Sequence, residues 1–92
     1  MKINFYAALR QIVGDRTVDI EFIEGLTLRQ LLLQLTTRFP QLQTELFDDK
    51  GDLLGRVNIF VNGRNASFLA EKLDTRLRPE DAVGIFPPVG GG

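Results

Sequence analysis

The chain has 92 residues, of which 43% are hydrophobic and 25% are charged, as expected of one small folded domain. Its net charge is −1 and its basic residues are scattered, which argues against nucleic-acid binding. Cysteine and histidine are both absent, which removes the commonest thiol nucleophiles, general bases and zinc ligands, so neither a self-sufficient enzyme nor a metal site is expected. No apolar run approaches the ~20 residues of a membrane helix and no signal-peptide core follows Met1, so we expect a cytoplasmic protein without membrane contact.

The N-terminal residues alternate between apolar and polar side chains, which is typical of half-buried strands. One predicted strand runs from Lys2 to Leu9 and a second from Thr17 to Ile23, with a turn at Gly14-Asp15. Their short separation favours an antiparallel hairpin. We expect one core face to contain the apolar residues of both strands, namely Ile3, Phe5, Ala7, Leu9, Val18, Ile20 and Phe22.

A capping-box pattern predicts where the main helix begins. Thr27 is followed three residues later by Gln30, and Pro40 marks the end of the helical segment. Between them, one stripe at helical spacing contains Leu28, Leu31, Leu32, Leu35 and Phe39. This stripe is expected to pack on the sheet.

Residues 40–56 show no sustained period and are expected to be irregular. The acidic turn Asp48–Asp52 does not match the spacing of an EF-hand loop, because the distal glutamate is missing. A solvated surface loop is therefore expected there, with no metal bound.

The C-terminal half adds further strands. Val57–Val61 is rich in β-branched residues, and Asn62-Gly63 after it is the strongest short-range signal of a hairpin turn. Pro79–Asp81 predicts a reversal of the chain, and Ala82–Phe86 predicts a last strand. Together the elements predict an α+β roll, a mixed sheet of about four to five strands with one main helix packed on one face. The first and last strands are expected to be its central neighbours.

Three aromatic residues have the opposite phase to the core positions of their strands. Tyr6, Phe60 and Phe86 are therefore expected on the sheet face that the helix does not cover. Large aromatic side chains on an open face are typical of a protein-docking surface. The alternative is that these rings cover the sheet edge or pack under residues 40–56.

The C-terminal segment combines a stiff root with a narrow tip. Two prolines favour an extended path, and glycines have no Cβ, so the backbone can enter a channel too narrow for side chains. The sequence therefore predicts a domain over residues 1–86 and an exposed tail over 87–92 whose terminal carboxylate is ionised at neutral pH. An unstructured terminus is the alternative. The tail consists of Pro87, Pro88, Val89, Gly90, Gly91 and Gly92.

With Asn4–Ala7, Val61–Arg64 and Ile85–Val89 before a terminal Gly-Gly, the sequence resembles the ubiquitin-like sulfur carriers along nearly its whole length. The small subunit of molybdopterin synthase and the archaeal small modifier proteins are similar in pattern. The resemblance implies a β-grasp fold. It also implies that an E1-like enzyme uses ATP to adenylate the Gly92 carboxylate, which is then converted to a thiocarboxylate, with Gly91 as a narrow stem. Gly90, where the carriers often have alanine or threonine, is a departure that leaves this chemistry untouched.

Two functions remain open at this point. The protein is either a sulfur carrier, with the large subunit of molybdopterin synthase or another protein as acceptor, or a modifier joined through Gly92 to lysines of target proteins. Both begin with the same adenylate, and the domain itself needs no cofactor. An autonomous enzyme would need an acid-base constellation, which the sequence does not show. The expected partner contacts are Tyr6, Phe60, Phe86, Pro87, Pro88, Val89 and Gly90.

Overall fold

The computed structural model describes residues 1–88, which contain five short strands and three α-helices. Two 3₁₀ turns, Ala66–Phe68 and Lys72–Asp74, follow the fourth strand. In chain order the elements are β1 (Lys2–Phe5), α1 (Leu9–Val13), β2 (Thr17–Asp19), α2 (Leu28–Arg38), α3 (Gln41–Leu46), β3 (Asn58–Val61), β4 (Arg64–Asn65) and β5 (Val83–Phe86).

The strands form one mixed sheet in the order β2-β1-β5-β3-β4. β1 and β5 pair in parallel, with Ile3 opposite Val83 and Phe5 opposite Ile85. All other pairs are antiparallel. The prediction that the first and last strands are central neighbours in a mixed sheet is confirmed.

The core lies between one face of this sheet and α2. Period-two alternation turns the apolar residues of each strand to the same side, and the leucine stripe of α2 covers them as predicted. Each of these side chains is at most 7% exposed: Ile3, Phe5, Val18, Ile59, Val61, Val83 and Ile85 from the sheet, and Leu28, Leu31, Leu32 and Leu35 from the helix.

The predicted capping box is present at the start of α2. The backbone N–H of Gln30 donates to Thr27 Oγ1 at 3.2 Å, and the backbone N–H of Thr27 donates to Gln30 Oε1 at 3.0 Å. These two bonds satisfy donors that the first turn of a helix otherwise leaves free.

Replacement of Thr27 by alanine should lower the free energy of unfolding by about 1 kcal/mol, because the cap acceptor is lost. Urea denaturation measures this change. Thr37→Ala, at an exposed position of the same helix, is the matched control and should alter stability by less than about 0.5 kcal/mol. Equal losses in the two variants would show that the cap contributes nothing of its own.

The predicted strand over Lys2–Leu9 is wrong beyond Phe5. Ala7 has a positive φ of 52°, a left-handed conformation that interrupts an extended backbone, and α1 begins at Leu9. Leu9 is nevertheless fully buried. The strand pattern therefore predicts its burial correctly, although the residue lies in a helix. Ala7, expected in the core, is exposed, and Gly14 ends α1 with a φ of 81°, as is common for a glycine after a helix.

The second strand is also shorter than predicted and ends at Asp19 instead of Ile23. Ile20 still exchanges backbone bonds with Met1, but side chains of α2 bond the carbonyls of Asp19 and Glu21. Arg38 Nη1 donates to the Asp19 carbonyl at 2.7 Å, and Gln34 Nε2 donates to the Glu21 carbonyl at 3.4 Å. Ile20 is still buried, as predicted.

Residues 40–56 are not irregular throughout, because α3 begins directly after Pro40. Leu42 and Leu46, four residues apart, are both fully buried, and the helix is too short to show a period in sequence. In the following turn, Asp48 Oδ1 accepts backbone N–H bonds from Lys50 at 2.9 Å and Asp52 at 3.0 Å. The loop backbone thus satisfies this carboxylate, and residues 1–88 contain no group of three or more potential metal ligands.

Candidate functional site

The three outward-facing aromatic residues meet on the sheet face opposite the core. The Tyr6 and Phe86 rings are stacked, with centroids 4.0 Å apart and planes inclined by 3°. Phe60 meets Phe86 edge to face, with centroids 5.3 Å apart and planes at 81°. All three side chains are half-buried. We call these three residues the aromatic cluster.

Strand register explains why the rings converge. Phe86 of β5 lies opposite Asn58 of β3, and Phe60 lies opposite Gly84. Tyr6 comes one residue after the end of β1, at the level of Phe86, because Phe5 pairs with Ile85. The cavity in front of the cluster has no lining residue between 40 and 56. Residues 40–56 therefore do not close off this depression.

Gly84 occupies the middle of this face and was not predicted as a site residue. A Cβ at this position would lie 3.1 Å from Tyr6 Cε2 and 3.9 Å from Phe86 Cε1. The absence of a side chain therefore lets the Tyr6 ring lie across β5. The sequence does contain a signal, because a glycine inside a strand often marks a close approach of another group.

Arg10 is a second residue that sequence reasoning missed. Its Nε donates to the Phe5 carbonyl at 2.7 Å, and its guanidinium carbon lies 5.3 Å from the centre of the Tyr6 ring, within range of a cation–π interaction. Arg10 belongs to α1, a helix that the sequence pattern does not predict. Tyr6 is thus positioned by both Phe86 and Arg10.

A depression of about 290 Å³ adjoins the aromatic cluster. None of the described residues that line it is charged. The residues that line it are Asn4, Tyr6, Phe60, Gly63, Ala82, Val83, Gly84 and Phe86.

The root of the predicted tail adjoins the aromatic cluster. Pro87 and Pro88 follow Phe86 directly and are half-buried. Val89, Gly90, Gly91 and Gly92 lie outside the described residues, so their exposure and their contacts stay predictions. Within residues 1–88, no helix is both long enough and apolar enough to cross a membrane.

The parallel pairing of the first and last strands, the helix across one face and the open aromatic face define a ubiquitin-like β-grasp protein. Proteins of this class include sulfur carriers and small protein modifiers. The chain belongs to the ThiS family, whose model matches residues 3–92.

Relatives of both kinds are similar to this chain. A protein of Archaeoglobus fulgidus that is provisionally named a sulfur carrier is 36% identical over 92 residues, covering 100% of this chain and 98% of the relative. The crystal structure of small archaeal modifier protein 1 from Haloferax volcanii superposes with a TM-score of 0.85 at 30% identity, over 99% of this chain and 97% of the other. A Pyrococcus furiosus structure, provisionally named molybdopterin converting factor subunit 1, has a TM-score of 0.75 at 34% identity, over 96% and 95%.

Proposed function

We propose that this protein is a sulfur carrier whose Gly92 carboxylate is adenylated by an activating enzyme and then converted to a thiocarboxylate. The observation that carries the proposal is the position of the aromatic cluster. Its last member, Phe86, ends β5 and directly precedes the Pro-Pro root of the glycine tail. An enzyme bound to the cluster would therefore have the tail beside its own active site. Membership of the ThiS family supports this function.

The chemistry requires little from the domain itself. An oxygen of the Gly92 carboxylate attacks the α-phosphorus of ATP, and pyrophosphate leaves. The resulting acyl-adenylate has a good leaving group, which a free carboxylate lacks. A sulfide-level donor such as hydrosulfide then attacks the carbonyl carbon, AMP departs with the electron pair of the broken C–O bond, and loss of the S–H proton leaves the thiocarboxylate. The activating enzyme binds ATP and supplies positioning and charge stabilisation, so the carrier is not itself an enzyme.

The docking role belongs to the aromatic cluster and the tail root. Large aromatic side chains near the centre of an interface commonly account for much of the binding energy. Tyr6 and Phe86 are held in a fixed stack, so little side-chain entropy is lost when a partner binds. The tail would be guided into the activating enzyme by Pro87, Pro88, Val89 and Gly90. Gly91 would lie in the narrowest part of the enzyme's channel.

The proposed acceptor of the sulfur is the large subunit of a molybdopterin-synthase-like complex. The Pyrococcus furiosus structure supports this assignment through its provisional name and its likeness over nearly the whole chain. In that role the protein would donate sulfur during molybdenum cofactor biosynthesis.

A second candidate function is protein modification. The similarity to small archaeal modifier protein 1 favours it. The first step is the same adenylate, but a lysine amine of a target protein then attacks the activated Gly92 carbonyl. An isopeptide bond forms, and the activating group leaves.

Mass spectrometry of the protein isolated from its native cells tests the two functions. A carrier should show an intact mass in which one oxygen of the C-terminal carboxylate is replaced by sulfur. A modifier should instead leave a C-terminal peptide of this chain, joined through Gly92, on lysines of other proteins after proteolysis. A chain without Gly91 and Gly92 is the control and should give neither signal. If the full chain gives neither in cells that express its activating enzyme, both functions are wrong.

A further inference from the structure

The turn between β3 and β4 contains the one asparagine of the chain that a glycine follows. Asn62 and Gly63 are exposed and have positive φ values of 53° and 81°, as the type I′ turn of a two-residue hairpin requires. We propose that Asn62 is a site of spontaneous deamidation, and that Asp81 restrains the reaction in the folded protein. The reaction is independent of the carrier and modifier functions.

Deamidation at this site needs only the chain itself and water. The backbone nitrogen of Gly63 attacks Cγ of Asn62 and loses its proton, while the bond from Cγ to the side-chain nitrogen breaks. That nitrogen leaves with the electron pair and a proton as ammonia, and a five-membered succinimide ring remains. Water then adds to one of the two ring carbonyls, and the ring opens to aspartate or to isoaspartate.

The attacking nitrogen of Gly63 is accessible. Glycine has no Cβ to hinder its approach, and the Gly63 N–H donates to no other group among residues 1–88. The exposed turn also admits the water that opens the ring. Each of the other asparagines precedes a residue whose side chain crowds the backbone nitrogen: Asn4, Asn58 and Asn65.

The side chain of Asn62, in contrast, is held by both of its polar atoms. Its Nδ2 donates to Asp81 Oδ1 at 2.9 Å, and its Oδ1 accepts the backbone N–H of Ala82 at 2.9 Å. These bonds join the end of β3 to the residues just before β5. Because the amide must turn towards Gly63 before it can react, these bonds have to break. Deamidation of the folded protein therefore requires a local opening of this joint.

Asp81 contributes the stronger of the two side-chain bonds, because its acceptor oxygen is charged. Its Oδ2 accepts the backbone N–H of Arg78 at 2.8 Å, and its own N–H donates to the Arg78 carbonyl at 3.0 Å. The carboxylate is thus fixed by its own turn. A hydrogen bond to a charged group typically shifts an equilibrium by roughly tenfold or more, so Asp81 should slow the reaction by about that factor.

The reaction would reverse the nature of this contact. An aspartate at position 62 could still accept the Ala82 N–H, but it would have no donor for Asp81. Two carboxylates would then face each other where a hydrogen bond had been, and like charges at that distance repel. Deamidation should therefore weaken the joint between β3 and β5.

Asp81→Ala tests the restraint. The folded variant and the folded parent are incubated at neutral pH, and mass spectrometry follows the tryptic peptide of residues 57–64, which contains Asn58 and Asn62. We expect deamidation at Asn62 and not at Asn58, at least roughly tenfold faster in Asp81→Ala. Glu80→Ala is the matched control. It removes the neighbouring exposed carboxylate and should react at the parental rate.

Unfolding the same proteins in urea removes the restraint. The parent and Asp81→Ala should then deamidate at one common, faster rate. Equal rates of the two folded proteins, or a difference that persists in urea, would overturn the restraint by Asp81. An Asn62 that stays intact even in the unfolded parent would overturn the site itself. Should Asp81→Ala fail to fold, Asp81→Asn carries the test with a smaller expected rise, since a neutral acceptor is weaker.

Asn62→Asp reproduces one product of the reaction and tests its consequence. We expect a lower melting temperature than that of the parent, and a smaller loss when Asp81 is already alanine, because the repelling partner is then gone. Equal losses in the two backgrounds would show that the carboxylates do not oppose each other. The proposed effect on the joint between β3 and β5 would then be wrong.

Discussion

A chain without Gly91 and Gly92 should fold like the parent and support no ATP–pyrophosphate exchange by the activating enzyme. The last strand ends at Phe86, and the core residues described above all precede that point. Removal of two residues withdraws the carboxylate by about 7 Å, which places it out of reach of the α-phosphate. The exchange rate and the melting temperature, measured on the same preparation, test both parts of this expectation.

A chain extended by one alanine beyond Gly92 is the complementary control. It retains every residue of the tail but moves the carboxylate about 3.5 Å further out and adds a side chain at the tip. We expect exchange to be lost here too. Parental exchange in either variant would rule out the Gly92 carboxylate as the reacting group.

The second large effect is expected for Phe86→Ala. Phe86 contacts both other rings of the aromatic cluster, so its removal should weaken binding to the activating enzyme by roughly 30-fold or more, equivalent to a hot spot of about 2 kcal/mol. Its half-exposed ring contributes less to folding. Loss of the stacked pair should lower the free energy of unfolding by about 1 kcal/mol. Calorimetric titration and urea denaturation measure the two quantities.

Phe68→Ala provides the matched control for the loss of a phenylalanine. Phe68 is 81% exposed and lies outside the aromatic cluster, so its removal should change neither affinity nor stability appreciably. A large loss of stability with unchanged affinity in Phe86→Ala would contradict the docking role. In that case the ring would be a structural element of the sheet.

The elements that the sequence predicts correctly are those in which local pattern and tertiary packing agree. The leucine stripe of α2 has the period of a helix, and the inward residues of β5 alternate with the period of a strand. α1 was missed because Leu9 is buried in a helix at a position where a strand would also bury it, and the positive φ of Ala7 has no clear signal in an alanine. α3 was missed because six residues are too few to show a helical period.

The candidate site was predictable where strand phase alone decides which face a residue occupies. Phase placed Phe60 and Phe86 on the open face, and it remained valid for Tyr6, one residue beyond β1. Gly84 and Arg10 could not be found in this way. The role of Gly84 depends on the register of three strands, and that of Arg10 depends on a helix that the sequence pattern does not predict.

The most direct test of the account is to find where AMP is attached when the protein, its activating enzyme and ATP are mixed without a sulfur donor. Tandem mass spectrometry of the trapped adduct gives the position. We predict an adenylate on the C-terminal carboxyl group of Gly92 and on no side chain. An adduct on an aspartate or glutamate, or no adduct while the two proteins form a stable complex, would contradict the account.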